Sequence, residues 1–255
     1  MIRQLNYMPY LRSLRADFYA RDIEISDTVK KMNFASLQEI ELTQGELVTF
    51  TSFLDMLLDG LNIEKINMEH MECEPSLAIN RLVGAVCRVC SPEALKSFNL
   101  GTDGLSKYEH SPDFITNNAT LSPLFKFRHM EFFSVSLGDP DWDDRLLGDI
   151  ANAWPNLRRL ALRKHGRKPS KLTFRGLASL AKGCPRLEDL FLSLAPWNAD
   201  IDRTILRSWN GPTRSSPLHM VLRYPLMNLE TQAESHLRHV FPNLSQLDVK
   251  HVDDH

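Results

Sequence analysis

The chain has 255 residues, of which 43% are hydrophobic and 24% are charged, and its formal net charge at pH 7 is −2. This apolar content suffices for a continuous core, whereas a nearly neutral chain is not typical of a general binder of nucleic acid or membranes. The sequence shows no apolar signal sequence and no run approaching the ~18 apolar residues of a membrane span. The four cysteines do not have the spacing of a disulfide framework. We therefore expect a cytoplasmic or nuclear protein with reduced thiols.

Short apolar strands with the pattern Leu-x-x-Leu-x-Leu recur along the whole chain. Period-two alternation places the apolar residues of each strand on one face of a sheet. The first apolar positions follow one another at steps of 26 to 32 residues and are Leu11, Leu37, Ile63, Leu95, Phe127, Leu157, Leu187, Leu218 and Leu244. In the eighth strand Arg223 stands where the third apolar residue belongs, which allows a shift of register to Met220 and Leu222.

Helices are predicted between the strands, from apolar stripes with helical spacing. One begins near Phe50 and ends at Gly60, and the next follows Pro75 and carries Cys87 and Cys90 on its stripe.

The sequence also predicts one further helix and two longer loops. A capping box at Thr231–Glu234 predicts a helix near the end of the chain. Clusters of turn-forming residues predict longer loops over residues 101–122 and 197–216.

The segment from Asp144 to Leu194 contains one unit twice in succession. Each copy consists of a helical stripe, a Trp-Pro or Cys-Pro pair and a strand. The strands are the runs Leu157–Leu162 and Leu187–Leu192, and their first leucines are 30 residues apart.

These two units resemble the leucine-rich repeat family, in its long form with a helix on the outer side of each repeat. The strand run after Trp-Pro-Asn-Leu157 or Cys-Pro-Arg-Leu187 is most similar to the repeats of F-box and leucine-rich-repeat proteins. The resemblance implies an α/β solenoid, or horseshoe, with a parallel β-sheet on the concave side and helices on the convex side. It also implies that residues 1–255 form a single leucine-rich repeat domain of about nine irregular repeats.

The resemblance further implies a non-catalytic platform for protein–protein interaction, and within the family the substrate-recognition part of an F-box-type ubiquitin-ligase receptor. The F-box, which binds the ligase adaptor, is expected to be absent because the first candidate strand already begins at Leu11. The sequence is then either a fragment lacking its N-terminal cap or F-box, with adaptor binding supplied by missing sequence, or a free-standing binding protein. The alternative is a regulator, of the inhibitor or GTPase-activating type, that binds an enzyme through its repeats.

No motif predicts an enzyme, a cofactor or a metal site. The pair Cys87-x-x-Cys90 has redox or zinc spacing, but a second pair is missing and a helix stripe holds both cysteines, so core packing is predicted. The acidic run Asp139–Asp143 begins like a calcium loop but lacks the glycine and glutamate of that motif, so a solvated loop is predicted. No nucleophile, base and orienting group are recognisable together, and no glycine-rich phosphate loop is present.

A protein partner is expected on the concave face, where the polar positions of the strands are exposed. Arg159 and Arg163 lie on the sixth strand, between Phe133 of the fifth strand and Phe191 of the seventh, and Glu131 is predicted to share the face of Phe133. Exposed aromatic residues beside arginines are typical of protein-binding hot spots.

The segment after the sixth strand, residues 163–171, adds a basic cluster. Turns at Gly166 and Pro169 are predicted to direct its side chains outward, so the cluster predicts a site for an acidic or phosphorylated segment of the partner. The alternative is a solvated loop beside a sheet whose charges only maintain solubility. The candidate partner-binding residues are Arg159, Arg163, Lys164, Arg167, Lys168, Phe133, Phe191 and Glu131.

Overall fold

The structure is a computed structural model that describes residues 8, 10–18, 31–70, 75–102, 115–165, 168–195, 217–224, 235 and 237–251. The predicted capping box at Thr231–Glu234, the predicted loop over residues 197–216 and the candidate residue Arg167 lie outside the described residues.

In the described part of the chain, nine parallel strands form one open sheet, and each strand pairs with the next one in sequence. Parallel pairing of consecutive strands requires a crossover between them. The strands are β1 (Ser13–Asp17), β2 (Glu39–Gly45), β3 (Lys65–His70), β4 (Ser97–Thr102), β5 (Phe132–Leu137), β6 (Arg159–Lys164), β7 (Asp189–Ser193), β8 (Leu218–Tyr224) and β9 (Leu244–His251). The predicted α/β class with a parallel sheet is confirmed.

Several crossovers contain helices whose apolar stripes join the inward residues of the strands in one buried cluster. The helices are α1 (Leu47–Asp55), α2 (Ser76–Val89), α3 (Asn118–Leu121) with a 3-10 turn (Ser122–Lys126), α4 (Asp144–Ala153) and α5 (Phe174–Gly183). Helix α1 ends at Asp55 rather than at the predicted Gly60, which instead adopts a φ of 73° in the following turn. Among the described residues, no helix is long and apolar enough to cross a bilayer.

The other side of the sheet carries the strand residues that alternate with the core positions, and we call it the open face. Its first row of residues consists of Ser13, Glu39, Lys65, Ser97, Phe132, Arg159, Asp189, His219 and Gln246. The residues two and four positions further along each of these strands complete the open face.

Backbone hydrogen bonds at the strand starts repeat from one strand to the next. The carbonyl of the residue before a strand accepts two hydrogen bonds, one from the N–H of the residue just before the next strand and one from the N–H of the first residue of that strand, at N···O distances of 2.7 to 3.0 Å. The accepting residues are Arg12, Gln38, Glu64, Lys96, Glu131 and Arg158. Glu131 is therefore equivalent to Arg158, and Met130 occupies the first core position that the sequence pattern assigned to Phe127.

The predicted position of Phe133 on the exposed face is consequently wrong. Phe133 pairs in register with Phe98 of β4 and Leu160 of β6, and its side chain is 0% exposed. Its ring centroid lies 5.7 Å from that of Phe98 and 4.6 Å from that of Trp154. The neighbouring Phe132 takes the open-face position and is half-buried.

The shift of register allowed for the eighth strand is confirmed. Met220 and Leu222 pair with Leu190 and Leu192 of β7, and all four side chains are buried. Arg223 therefore falls on the open face, as a residue that alternates with the core positions.

Candidate functional site

Arg159 lies on the open face and forms an ion pair with a neighbouring carboxylate. Its Nε and Nη2 both donate to Oδ2 of Asp189 on β7, at 3.0 and 2.8 Å. Asp189 also lies 3.5 Å from Nδ1 of His219, whose Nε2 is 3.1 Å from Oδ2 of Asp248. A chain of polar contacts thus connects β6, β7, β8 and β9.

Glu131 lies in the row of residues that precede the strands, and not on β5 as predicted. Its side chain is half-buried. On one side, Nζ of Lys96 is 2.9 Å from Oε2 of Glu64, and on the other Arg158 donates to both carboxylate oxygens of Glu188 at 3.1 and 2.9 Å. The hydrogen bonds and charge of Glu188, with a weaker attraction from Glu131, raise the pKa of Arg158.

Arg163 lies at the other end of β6 and has no carboxylate partner among the described residues. Its guanidinium is 4.9 Å from the centroid of the Phe191 ring on β7. Partial burial lowers the pKa of Arg163, and repulsion from Arg159 and Arg223 lowers it further. Arginine stays protonated in proteins, so the lowered pKa does not mean that Arg163 loses its charge. It reflects the partial burial of Arg163 and the other positive charges that lie near it.

Two half-buried phenylalanine rings on the open face each lie close to an arginine. Phe191 lies under Arg163, and the centroid of the Phe132 ring is 5.6 Å from the guanidinium of Arg158. Such cation–π pairs hold the guanidinium close to the ring, and both phenylalanines remain partly exposed. The predicted combination of aromatic residues and arginines is present at Phe191, and Phe132 takes the role that was assigned to Phe133.

The predicted outward orientation of Lys164 is wrong. Its Nζ lies 3.1 Å from Oδ1 of Asp139, and the two side chains are only 11% and 1% exposed. The same ammonium group donates to the backbone carbonyl of Lys168, whose own side chain is exposed. Lys164 therefore fixes the loop after β6, while Lys168 remains accessible at the surface.

The acidic run Asp139–Asp143 is not the solvated loop that the sequence predicts. Asp139 is buried against the lysine just described, and Asp141 lies 2.5 Å from Nζ of Lys171. Asp143 caps α4 by accepting a hydrogen bond from the backbone N–H of Arg145 at 2.9 Å. The acidic run and the predicted basic cluster therefore neutralise each other in part.

Two polar residues at the ends of β7 and β8 were not among the predicted site residues. Ser193 and Arg223 are partners in register. The Oγ of Ser193 and the Nε of Arg223 are buried and have no hydrogen-bond partner among the described residues. Together with Arg163 they form what we call the arginine–serine cluster, at the ends of three consecutive strands.

A groove of about 680 Å³ crosses the open face between β2 and β6. The small side chains of Ser97, Ser134 and Ala161 leave room at its centre, and Phe132 and Arg163 are among its lining residues. The groove therefore reaches from the half-buried phenylalanine on β5 to one member of the arginine–serine cluster.

Comparison with known proteins adds no relative to this description. The sequence matches no protein-family model, and no curated protein is significantly similar to it. The groove, the phenylalanine–arginine pairs and the arginine–serine cluster are therefore the observations on which a function is based.

The cysteines of the Cys-x-x-Cys pair pack as predicted. Cys90 is 1% exposed, and burial raises the pKa of its thiol. Cys87 is half-buried, its Sγ lies 3.3 Å from the carbonyl oxygen of Pro123, and burial raises its pKa as well. Raised pKa values disfavour the thiolate, which is the form that attacks substrates or binds metals.

Proposed function

We propose that the chain is a leucine-rich repeat solenoid that serves as a non-catalytic platform for a protein partner, which binds the open face over β5–β8. Nine consecutive parallel strands and the repeated carbonyl contacts at their starts support a stack of equivalent units. Stacked units create an extended sheet face, and such faces are common binding surfaces in repeat proteins.

The observation that carries this proposal is the presence of two partly exposed phenylalanines on a polar sheet face. Phe132 and Phe191 each lie beside an arginine, and Phe132 also lines the groove of about 680 Å³. Aromatic and arginine side chains at the centre of a surface dominate the binding energy of many protein interfaces. A partner that inserts apolar side chains between them would gain both apolar burial and hydrogen bonds.

Within this function we propose substrate recognition for an F-box-type ubiquitin ligase in the cytoplasm or nucleus. The support is the resemblance of the strand runs Leu157–Leu162 and Leu187–Leu192 to the repeats of that family. Binding to the ligase adaptor would need an F-box segment outside these repeats. The regulator hypothesis uses the same surface but takes an enzyme as its partner, so the identity of the partner separates the two.

Site-specific photo-crosslinking tests the proposed surface. Benzoylphenylalanine is placed at Ser134 on the open face, and in a matched variant at Lys182, which is exposed on α5 on the other side of the sheet. We expect the Ser134 variant to crosslink to a protein that mass spectrometry identifies and that binds again as a purified protein. Crosslinking from Lys182 to that same protein, with none from Ser134, would contradict the proposal.

The affinity of the purified partner then tests the hot spot. We expect Phe191→Ala to weaken binding by at least about tenfold, or ~1.4 kcal/mol, because it removes a central aromatic contact. The matched control is Leu77→Ala, which truncates a side chain that is 58% exposed on α2. Equal affinities of the two variants would place the interface elsewhere.

A further inference from the structure

We propose that the arginine–serine cluster, Arg163, Ser193 and Arg223, binds a phosphoryl group on an extended segment of the partner protein. The inference rests on the proposed function, because the partner must present its phosphorylated side chain to the open face.

The backbone places the three residues in one row. Arg163 is near the end of β6, Ser193 ends β7, and Arg223 is paired in register with Ser193 on β8. Adjacent strands are about 4.8 Å apart, so the two arginines begin about 10 Å apart with the serine between them. Two arginine side chains that flank a hydroxyl at this spacing can reach one anion above the middle strand.

Two buried polar groups of the cluster lack an acceptor in the described part of the protein. These groups are Nε of Arg223 and Oγ of Ser193, and the Ser193 side chain belongs to a residue that is only 8% exposed. Buried polar side-chain atoms in proteins nearly always have a hydrogen-bond partner, so each exception calls for an explanation. An oxyanion bound between the arginines supplies the missing acceptors.

The charges around the cluster favour the same ligand. Asp189 offsets the charge of Arg159, but Arg163 and Arg223 have no carboxylate partner among the described residues. Repulsion between these cations contributes to the lowered pKa of Arg163. A bound anion converts this repulsion into two charge-assisted interactions.

A phosphoryl group fits the cluster better than a carboxylate. It carries a charge of about −1.5 to −2 at pH 7 and three acceptor oxygens, whereas a carboxylate has one charge and two oxygens. Two guanidinium groups and one hydroxyl can therefore each engage a different phosphoryl oxygen. The Phe191 ring, 4.9 Å from the guanidinium of Arg163, helps to fix that guanidinium in place.

Two degenerate peptide libraries test the inference, one with phosphoserine and one with serine at the central position. We expect the protein to retain the phosphoserine library at least about tenfold more strongly, because charge-assisted hydrogen bonds to phosphate are the stronger kind. Arg163→Gln and Arg223→Gln should each abolish this preference, and Ser193→Ala should reduce it. Arg175→Gln, on the exposed side of α5, is the matched control and should leave the preference unchanged.

Inorganic phosphate provides a second readout, which does not depend on a peptide. Phosphate should raise the melting temperature of the parent protein, and of Arg175→Gln, more than that of Arg223→Gln. Retention of both libraries to the same extent, or a preference that survives Arg223→Gln, would overturn the inference. If the open-face crosslink at Ser134 still forms in that case, the protein-binding platform stands and only the phosphoryl site fails.

Discussion

The two ends of strands β6–β8 carry similar side chains on the open face but arrange them differently. At the strand starts, Arg159 donates two hydrogen bonds to Asp189 on β7, and Arg158, just before β6, donates two to Glu188, just before β7. At the strand ends, Arg163 and Arg223 have no such carboxylate in the described part of the chain, and buried donor groups remain unmatched. Charges of the first kind join neighbouring strands, whereas charges of the second kind remain available to a ligand.

The end of β6 shows a third arrangement of a basic side chain, which is a buried ion pair. Lys164 follows Arg163 directly, yet it points inward to the buried carboxylate of Asp139. Neighbouring residues in one basic segment therefore differ in role, because strand alternation sends one to the open face and the next to the core.

We expect the largest loss of stability when the core layer beneath strands β6–β8 is disrupted. Leu190→Asp places an unpaired charge at a position that is 2% exposed, and should destabilise the fold by several kcal/mol. Val221→Asp adds the same charge on the open face of the adjacent strand and should cost much less. Chemical denaturation measures both, and equal stabilities would contradict the inward orientation of Leu190.

A smaller loss of stability should separate the inward lysine from the exposed one. Lys164→Ala leaves Asp139 as an uncompensated buried charge and should cost about 3–5 kcal/mol. Lys168→Ala, in the same loop, should change the free energy of unfolding by less than about 0.5 kcal/mol because its side chain is exposed. If denaturation shows Lys164→Ala to be as stable as Lys168→Ala, the ion pair does not hold this loop.

The strand pattern was readable from the sequence because leucines at fixed spacing leave few alternatives. The fifth strand is the exception, since both Phe127-x-x-Met130-x-Phe132 and the true frame starting at Met130 satisfy the same pattern. Regular repeat spacing favoured the first frame, but the backbone contacts at Glu131 show that the second is adopted. Apolar pattern alone cannot distinguish frames in a segment that is rich in phenylalanine.

The site was only partly predictable, for reasons that depend on strand parity. Arg163 and Phe191 were identified correctly as open-face residues. Lys164 has the same strand parity as the inward Leu160 and Leu162, so its orientation could be predicted from the sequence, but the many positive charges nearby favoured a surface loop. Arg223 was interpreted as a misfit in an apolar position, although the alternative register already placed it on the open face.

Ion pairs between loops lie beyond what strand patterns can predict. The contact of Asp141 with Lys171 joins two segments that are separated by a helix and a strand. Such pairing depends on how adjacent units stack, so the partial neutralisation of the basic segment became visible only in the structure.

The most direct test of the central claim compares charge changes at the two ends, using the partner identified by crosslinking at Ser134. Arg159→Asp with Asp189→Arg exchanges the charges of a matched pair, whereas Arg163→Glu with Arg223→Glu reverses the unmatched end. We expect the exchange to leave the dissociation constant within about threefold, and the reversal to raise it by at least about tenfold while both proteins remain folded. Unchanged binding by the reversal variant, or an equal loss in both, would contradict the assignment of the strand ends as the binding surface.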